Sequence, residues 1–354
     1  CAYLSLSART VLTGNDYDLA YTLDSSKKET PDSLLAELSE LEDITESTYA
    51  VRMYFTCPVE TNRLNPKLRD LMRKEVEARN EIYEENEETD MQLLLVFLAD
   101  QDFRAYLQKV NLSEDEYFNT KAPKAVADDS LRLYSGSSQK YFSFPAFANN
   151  DLDNVTLYLA REQENYDYGG TYLNDNGTPV CNFYHQAADD EIMTLTREEA
   201  CLPLPLTIGA TVQQAPDFFS DEDESIRLFY PYSMLDYVFA GLEENTSYYQ
   251  IHDLPLSENT STELFFKCKD HNTTKSFALM TKMLMQKGLS TSSLIDYAAS
   301  VESSRAMVTV INVFSYGFII LISLIAAANV FNTISTNINL RRREFMLLPD
   351  APAS

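Results

Sequence analysis

Three histidines, His185, His252 and His271, and five cysteines, Cys1, Cys57, Cys181, Cys201 and Cys268, are the side chains best able to ligate a metal or attack a substrate. The histidines lie far apart, and none stands in an HxxxH or HxxE spacing that would put two ligands on one face of a helix. The cysteines include no CxxC pair and are odd in number, so they define neither a zinc site nor a dense disulfide framework. One bridge, such as Cys181 with Cys201, would need an oxidising exterior, and spacing alone does not establish it.

Other chemistries fare no better. The sequence has no GxSxG elbow, no GxxxxGK[ST] phosphate loop and no GxGxxG turn, and only 9 glycines to build phosphate-cradling loops. Acidic residues are plentiful enough for some pair to meet in space, but no particular glycosidase dyad is marked. The 22 tyrosines, without one tryptophan, could line a ligand groove, although tyrosine in β-rich segments more often packs cores and edges. The expectation is a protein that is not an enzyme and carries no cofactor or metal.

The chain has 28 basic and 54 acidic residues, a formal charge of −26. Beyond Arg305 only Arg341, Arg342, Arg343, Glu344 and Asp350 are charged, so the part up to and including Arg305 carries 25 basic and 52 acidic groups. Such a surface is repelled by phosphates, which argues against nucleic acid and anionic lipid as partners of that part. The ordinary role of this charge is solubility. Six Asn-x-Ser/Thr sequons, at Asn111, Asn154, Asn176, Asn245, Asn259 and Asn272, suit an outward-facing surface and are also expected by chance in this composition.

Between Ala306 and Leu340 there is no ionisable side chain except Tyr316, and the run is apolar through VFSYGFIILISLIAAANVF. It exceeds the roughly 20 residues a helix needs to cross a bilayer. Three arginines close it, and because Lys and Arg are retained on the cytoplasmic side they place the C-terminus inside and everything before about residue 306 outside. Asn312, Ser315, Tyr316, Gly317, Ser323, Asn329, Asn332 and Thr333 interrupt the apolar run. Small and polar residues of this kind suit contact between helices in the membrane, with a lone anchor as the plainer alternative.

The preceding 300 residues read as α+β. Tyr17–Leu23 alternates as a strand, Thr30 and Pro31 open a helix with Leu34, Leu35, Leu38 and Leu41 on one side, and Tyr49–Phe55 returns as a strand. A long surface helix is expected over 65–88, then a buried strand over 91–99 and a helix over 100–110. From about 121 short β-like runs alternate with Asn, Asp, Gly and Ser, including 139–144, 155–161 and 181–185. Thr196 and Glu199 have capping-box spacing, and Pro203 and Pro205 follow. Strands at 226–230 and 262–268 and a helix over 273–287 return to the first pattern, and a helix capped at Ser290 or Thr291 leads into the span.

These readings divide the chain into a porter-like β-α-β lobe of 9–120 and 226–289, an inserted β-rich lobe of 121–225, a stalk helix of 290–306, a transmembrane helix of 307–335 and a cytoplasmic tail of 336–354. The apolar segment 1–8 fits the outer end of a preceding span, with a lipid-modified Cys1 as the competing reading.

The stretch from Ser292 to Leu348, and above all NTISTNINLRRREF from Asn332 to Phe345, resembles the start of the FtsX-like permease domain of ABC transporters. The layout of the outer part resembles the MacB-type extracytoplasmic core of such permeases. The resemblance implies a membrane-embedded permease subunit in a bacterial plasma membrane, working as a homodimer or with a second permease half. A separate cytoplasmic ATPase would push on it, and no covalent chemistry would occur in this chain. It also implies that Arg341, Arg342 and Arg343 meet lipid phosphates or the ATPase surface and that Glu344 and Phe345 face the ATPase. Permeases of this kind have further spans, and Pro349 departs from their pattern by breaking a coupling helix. Lipid, lipoprotein, peptide antibiotic and cell-wall signal all remain open as cargo. A single-pass receptor or adhesion ectodomain is the rival from another class, and an anchored hydrolase would need a site the sequence does not offer.

Overall fold

The computed structural model describes residues 17–23, 31–83, 85–148, 152–174, 176–187, 191–216, 224–251 and 260–346, without side-chain description at 300–306 and 344–346. Two units are distinguished: one is Gly14–Ala298, the other combines Cys1–Thr13 with Ala299–Ser354.

In the larger unit the elements follow one another as β1 (Leu19–Leu23), α1 (Pro31–Ser39), β2 (Ile44–Glu60), α2 (Pro66–Ala78), β3 (Glu88–Leu98), α3 (Asp100–Lys109), α4 (Glu114–Tyr117), β4 (Lys124–Asp128), β5 (Ser130–Ser135), β6 (Lys140–Pro145), β7 (Asn154–Ala160), β8 (Tyr166–Leu173), β9 (Pro179–His185), β10 (Ile192–Thr196), α5 (Arg197–Ala200), β11 (Cys201–Val212), β12 (Ile226–Pro231), α6 (Leu235–Val238), β13 (Thr260–Cys268), α7 (Thr274–Gln286) and β14 (Leu294–Asp296). Helix α8 (Tyr297–Met346) follows. The fold is α+β.

Nine strands form one sheet in the order β14-β1-β13-β2-β3-β12-β4-β11-β7, and smaller sheets β10-β9-β8 and β5-β6 accompany it. Its spine is the antiparallel pair β2–β3, in register from Ala50 opposite Leu98 to Glu60 opposite Glu88. Parallel to β3 lies β12, buried along its whole length as a central strand covered on both faces must be. The segment expected as an inserted lobe contributes β4, β7 and β11 to this large sheet, and β8, β9 and β10 make the separate three-stranded sheet.

Alternation along the strands decides which face each side chain joins. Leu94, Val96 and Leu98 pack with Phe103, Tyr106 and Leu107 of α3 and Tyr117 of α4. Their neighbours Leu93, Leu95 and Phe97 point the other way, into the largest core with Met53, Phe55, Leu157, Leu159 and Leu228. On that same side, Leu34 and Leu38 of α1 and Met280 and Leu284 of α7 cover Leu19, Tyr21 and Leu264.

Local chemistry sets the ends. Asn65 caps α2, its side chain accepting from the Lys67 N–H at 3.0 Å with Pro66 in the first turn. The helix expected to run to Glu88 stops at Ala78, where Asn80 takes the left-handed conformation (φ 60°) and turns the chain toward β3. The capping box of Thr196 and Glu199 forms in both directions. Pro203 and Pro205 lie within β11 rather than in a loop. They sit where β11 pairs with β7 alone, before β4 joins at Thr207, so their missing N–H groups leave no ladder unfilled.

One boundary differs from expectation in a way that matters for the membrane segment. The stalk helix begins at Tyr297, not near 290, because Leu294–Asp296 forms β14 against β1, Tyr21 opposite Leu294. The Asp18 carbonyl then accepts from the N–H groups of Tyr297 (2.9 Å) and Ala298 (3.3 Å), satisfying donors that a helix start leaves open.

Candidate functional site

A cleft of about 650 Å³ opens on the larger unit between β2, β3, β7 and β8. Its floor follows from strand periodicity. On β2, Met53, Phe55, Cys57 and Val59 enter the core, so the out-of-phase Tyr54, Thr56 and Pro58 face outward along the cleft. Opposite Thr56 and Pro58, Gln92 and Asp90 of β3 lie on the same face.

The facing wall is β8, shaped by a bulge between Tyr168 and Gly170. Gly170 has φ 107°, a conformation that L side chains rarely take, and a Cβ on Gly169 would overlap the Tyr184 ring. The two glycines thus let β8 bend so that Tyr168, Thr171 and Tyr172 line the cleft. Tyr249 closes one end, stacked on Tyr168 with ring centroids 5.7 Å apart, and its hydroxyl donates to the Tyr166 carbonyl at 2.6 Å.

Arg197, at the start of α5, supplies the positive charge. It grips Glu88 through two bonds of 2.7 and 3.2 Å and lies 4.2 Å above the Tyr158 ring, an arrangement suited to the planar guanidinium. Burial raises the Asp90 carboxyl above its ordinary range, partly opposed by Arg197. Asp90 nevertheless keeps an exposed edge. The result is an aromatic trough with one carboxylate and one paired guanidinium, able to hold a ligand by stacking and hydrogen bonds. Sequence reading did not single out Tyr54, Asp90 or Arg197; the phase of Tyr54 against its strand and the Gly169–Gly170 pair were the signals available.

The residues considered for catalysis or metal binding are dispersed. His185 packs edge-on to Tyr166 at 5.0 Å, and His271 reaches Asp18 at 2.8 Å. His252 lies outside the described residues, as does Cys1. Among the described residues no three His, Cys, Asp or Glu side chains group as a metal site. Cys57 and Cys268 are buried and apart, whereas Cys181 and Cys201 meet in one small core.

The membrane candidates all fall on α8, in which Met307–Arg343 is long and apolar enough to cross a bilayer. From Tyr316 to Arg343 every side chain is exposed. At about 100° per residue, Asn312, Ser315 and Ser323 share one sector, while Gly317, Asn329 and Asn332 share another roughly opposite. The Ser323 hydroxyl donates to the Ile319 carbonyl at 2.7 Å and the Thr333 hydroxyl to that of Asn329 at 2.8 Å, so these two hydroxyls are satisfied within their own helix. Arg341, Arg342 and Arg343 are exposed near the end of α8, where cations suit the helix dipole. Glu344 and Phe345 belong to the helix backbone, and their side chains lie outside the described residues.

No family model matches the chain, and no curated protein matches it. Among solved structures it is similar to the periplasmic region of MacB from Actinobacillus actinomycetemcomitans, with 12% identity and a TM-score of 0.32 over 85% of this chain and 97% of that one. A likeness this loose carries no weight for fold or function, which rest on the residues and elements of the chain itself.

Proposed function

We propose that this chain is a permease subunit of an FtsX/MacB-type ABC transporter, with its α+β domain outside a bacterial plasma membrane and a separate cytoplasmic ATPase as its motor. The observation that carries this reading is α8, which runs without a break from β14 through an uncharged apolar segment to Arg341, Arg342 and Arg343. An unbroken helix transmits displacement that a flexible linker would dissipate. NTISTNINLRRREF adds the sequence likeness, with the arginines at lipid phosphates or the ATPase surface and Glu344 and Phe345 as ATPase contacts.

In this reading the subunit performs no covalent step and binds no cofactor. It assembles as a homodimer or with a second permease half, and ATP hydrolysis in the partner moves the outer domain for export or signalling. The aromatic cleft supports a second reading, a single-pass receptor or adhesion ectodomain.

One experiment separates the two. Inserting several glycines after Glu302 in the complete permease is expected to leave both parts folded and to uncouple ATP hydrolysis from transport. Unchanged transport, no co-purifying ATPase, and tolerance of RRREF scrambled to another basic sequence would together select the receptor.

A further inference from the structure

The cleft wall β8, with its partners β9 and β10, is held by the smallest core among the described residues, made of Ala160, Cys181, Phe183, Ala200 and Cys201. These strands share no ladder with the large sheet among the described residues. Cys181 sits mid-strand on β9, opposite Thr171 of β8 and Leu195 of β10. Cys201 is the first residue of β11, opposite Ala160 of β7 in the large sheet. Their sulfurs are 3.7 Å apart, and both side chains are buried.

We propose that Cys181 and Cys201 are joined by a disulfide in the mature protein, clamping the three-stranded sheet to the edge of the large one and so fixing the wall of the cleft. The inference rests on the extracytoplasmic placement proposed above, since disulfides persist in oxidising compartments. Closing the gap to the roughly 2.05 Å of an S–S bond asks for a small side-chain adjustment. Among the described residues no other pair of thiols shares a core, because Cys57 and Cys268 belong to different ones.

Hydrogen bonding from the Cys201 thiol, aided by Thr171, lowers the Cys181 thiol below its ordinary range, while that same interaction and burial raise Cys201. These shifts need the folded contacts, so before the domain closes either thiol can begin the exchange, written here with the Cys181 thiolate. It displaces one thiolate from an external disulfide, such as that of a thiol oxidoreductase, to give a mixed disulfide. Cys201 then loses its proton and attacks the Cys181 sulfur, and the second thiol leaves. Two protein thiols are oxidised, one external disulfide is reduced to two thiols, and the two protons go with them. Because both sulfurs are enclosed in the finished domain, this exchange belongs to folding, before β9 docks on β11.

The link to the cleft is direct. Thr171 Oγ1 lies 3.4 Å from Cys181 Sγ and 2.9 Å from the Tyr168 hydroxyl, and both Thr171 and Tyr168 line the trough. Oxidation removes the thiol hydrogens from this chain and ties the trough wall to β11.

The test uses full-length protein from bacterial membranes, acid-quenched, denatured and alkylated with N-ethylmaleimide, followed by peptide mass mapping. The expected result is a peptide containing Cys181 linked to one containing Cys201, released and alkylated only after reductant. Reductant should also lower the Tm of the wild type by about 5–10 °C, given a loop of 20 residues, with no such effect on Cys181→Ala/Cys201→Ala. Full alkylation of both thiols without reductant overturns the proposal. Placement is read separately, by labelling Asn176→Cys in the Cys181→Ala/Cys201→Ala background of intact cells with a membrane-impermeant maleimide, against the same background without the reporter. Free thiols with a labelled reporter sink the disulfide alone; free thiols with a shielded reporter sink the placement and the disulfide together.

Discussion

Arg227 and Asp128 face each other across the antiparallel pair β12–β4, with Nη2 and Oδ2 2.9 Å apart and side chains only 2% and 1% exposed. Ser130 completes the arrangement: its N–H donates to Asp128 Oδ1 at 2.9 Å, and its Oγ accepts from Arg227 at 3.1 Å. A buried pair of this kind resists the loss of one member far more than the loss of both, because the survivor keeps its desolvation cost without a counter-charge. Asp128→Ala is expected to destabilise the domain by about 3–5 kcal/mol. Combining Asp128→Leu with Arg227→Met should restore part of that loss, read as denaturant midpoints of the two variants against wild type.

Asp129 presents the opposite case. Its side chain is enclosed, Oδ2 accepts from the Phe147 N–H at 3.2 Å, and Oδ1 has no partner among the described residues. Burial raises its carboxyl above the ordinary range, with the Phe147 N–H opposing and the neighbouring Asp128 charge adding. Folding therefore favours the protonated form. Above the folded pKa the charge costs stability, and that cost is relieved as pH falls through the folded value toward the unfolded one. Asp129→Asn keeps an acceptor for Phe147 and removes the charge, so it should raise the denaturation midpoint at about pH 7.5, by a margin that narrows toward about pH 4. A margin that widened on acidification would show that the carboxylate, not the neutral acid, is favoured by the fold.

Where sequence was sufficient, the deciding information was local. Thr196 and Glu199 formed their capping box, Pro31 opens a helix, and the run 49–55 produced a strand with Tyr54 out of phase. Where it fell short, a distant partner decided. Ser290 and Thr291 offered capping chemistry, yet Leu294–Asp296 pairs with β1, more than 270 residues earlier. The site was less legible than the fold for the same reason. Tyr54, Asp90, Tyr168 and Arg197 come from four separate segments, and nothing in their spacing announces that strand pairing and a glycine bulge bring them to one trough.

That bulge can be probed without touching the cleft side chains. A Cβ added at Gly170 meets its nearest neighbour, the Tyr172 hydroxyl, at an ordinary 3.5 Å, so space is not the obstacle. The obstacle is φ 107°, which an alanine occupies at a cost of about 1–3 kcal/mol. Gly170→Ala should lower the unfolding midpoint accordingly and increase hydrogen exchange at Thr171 and Tyr172. Wild-type exchange there would mean that the turn tolerates a side chain and that the wall is not set by this glycine.

In the membrane helix the discriminating position is Gly317. Apart from its chain neighbours and its own helix backbone, no atom of the described residues lies within 4 Å of a Cβ placed there, so a larger residue has room within the subunit itself. If another helix approaches closely at this point, as small residues in a span allow, Gly317→Ile must push it away. Site-directed cross-linking between subunits in membranes is then expected to fall roughly tenfold, the equivalent of about 1–2 kcal/mol of helix association. Ser323→Ala serves as the contrast. Its hydroxyl already bonds the Ile319 carbonyl of its own helix, so removal should leave cross-linking nearly unchanged. Equal and negligible effects at both positions would mean that lipid, not a second helix, surrounds this part of α8, and the lone-anchor reading would then prevail over the permease.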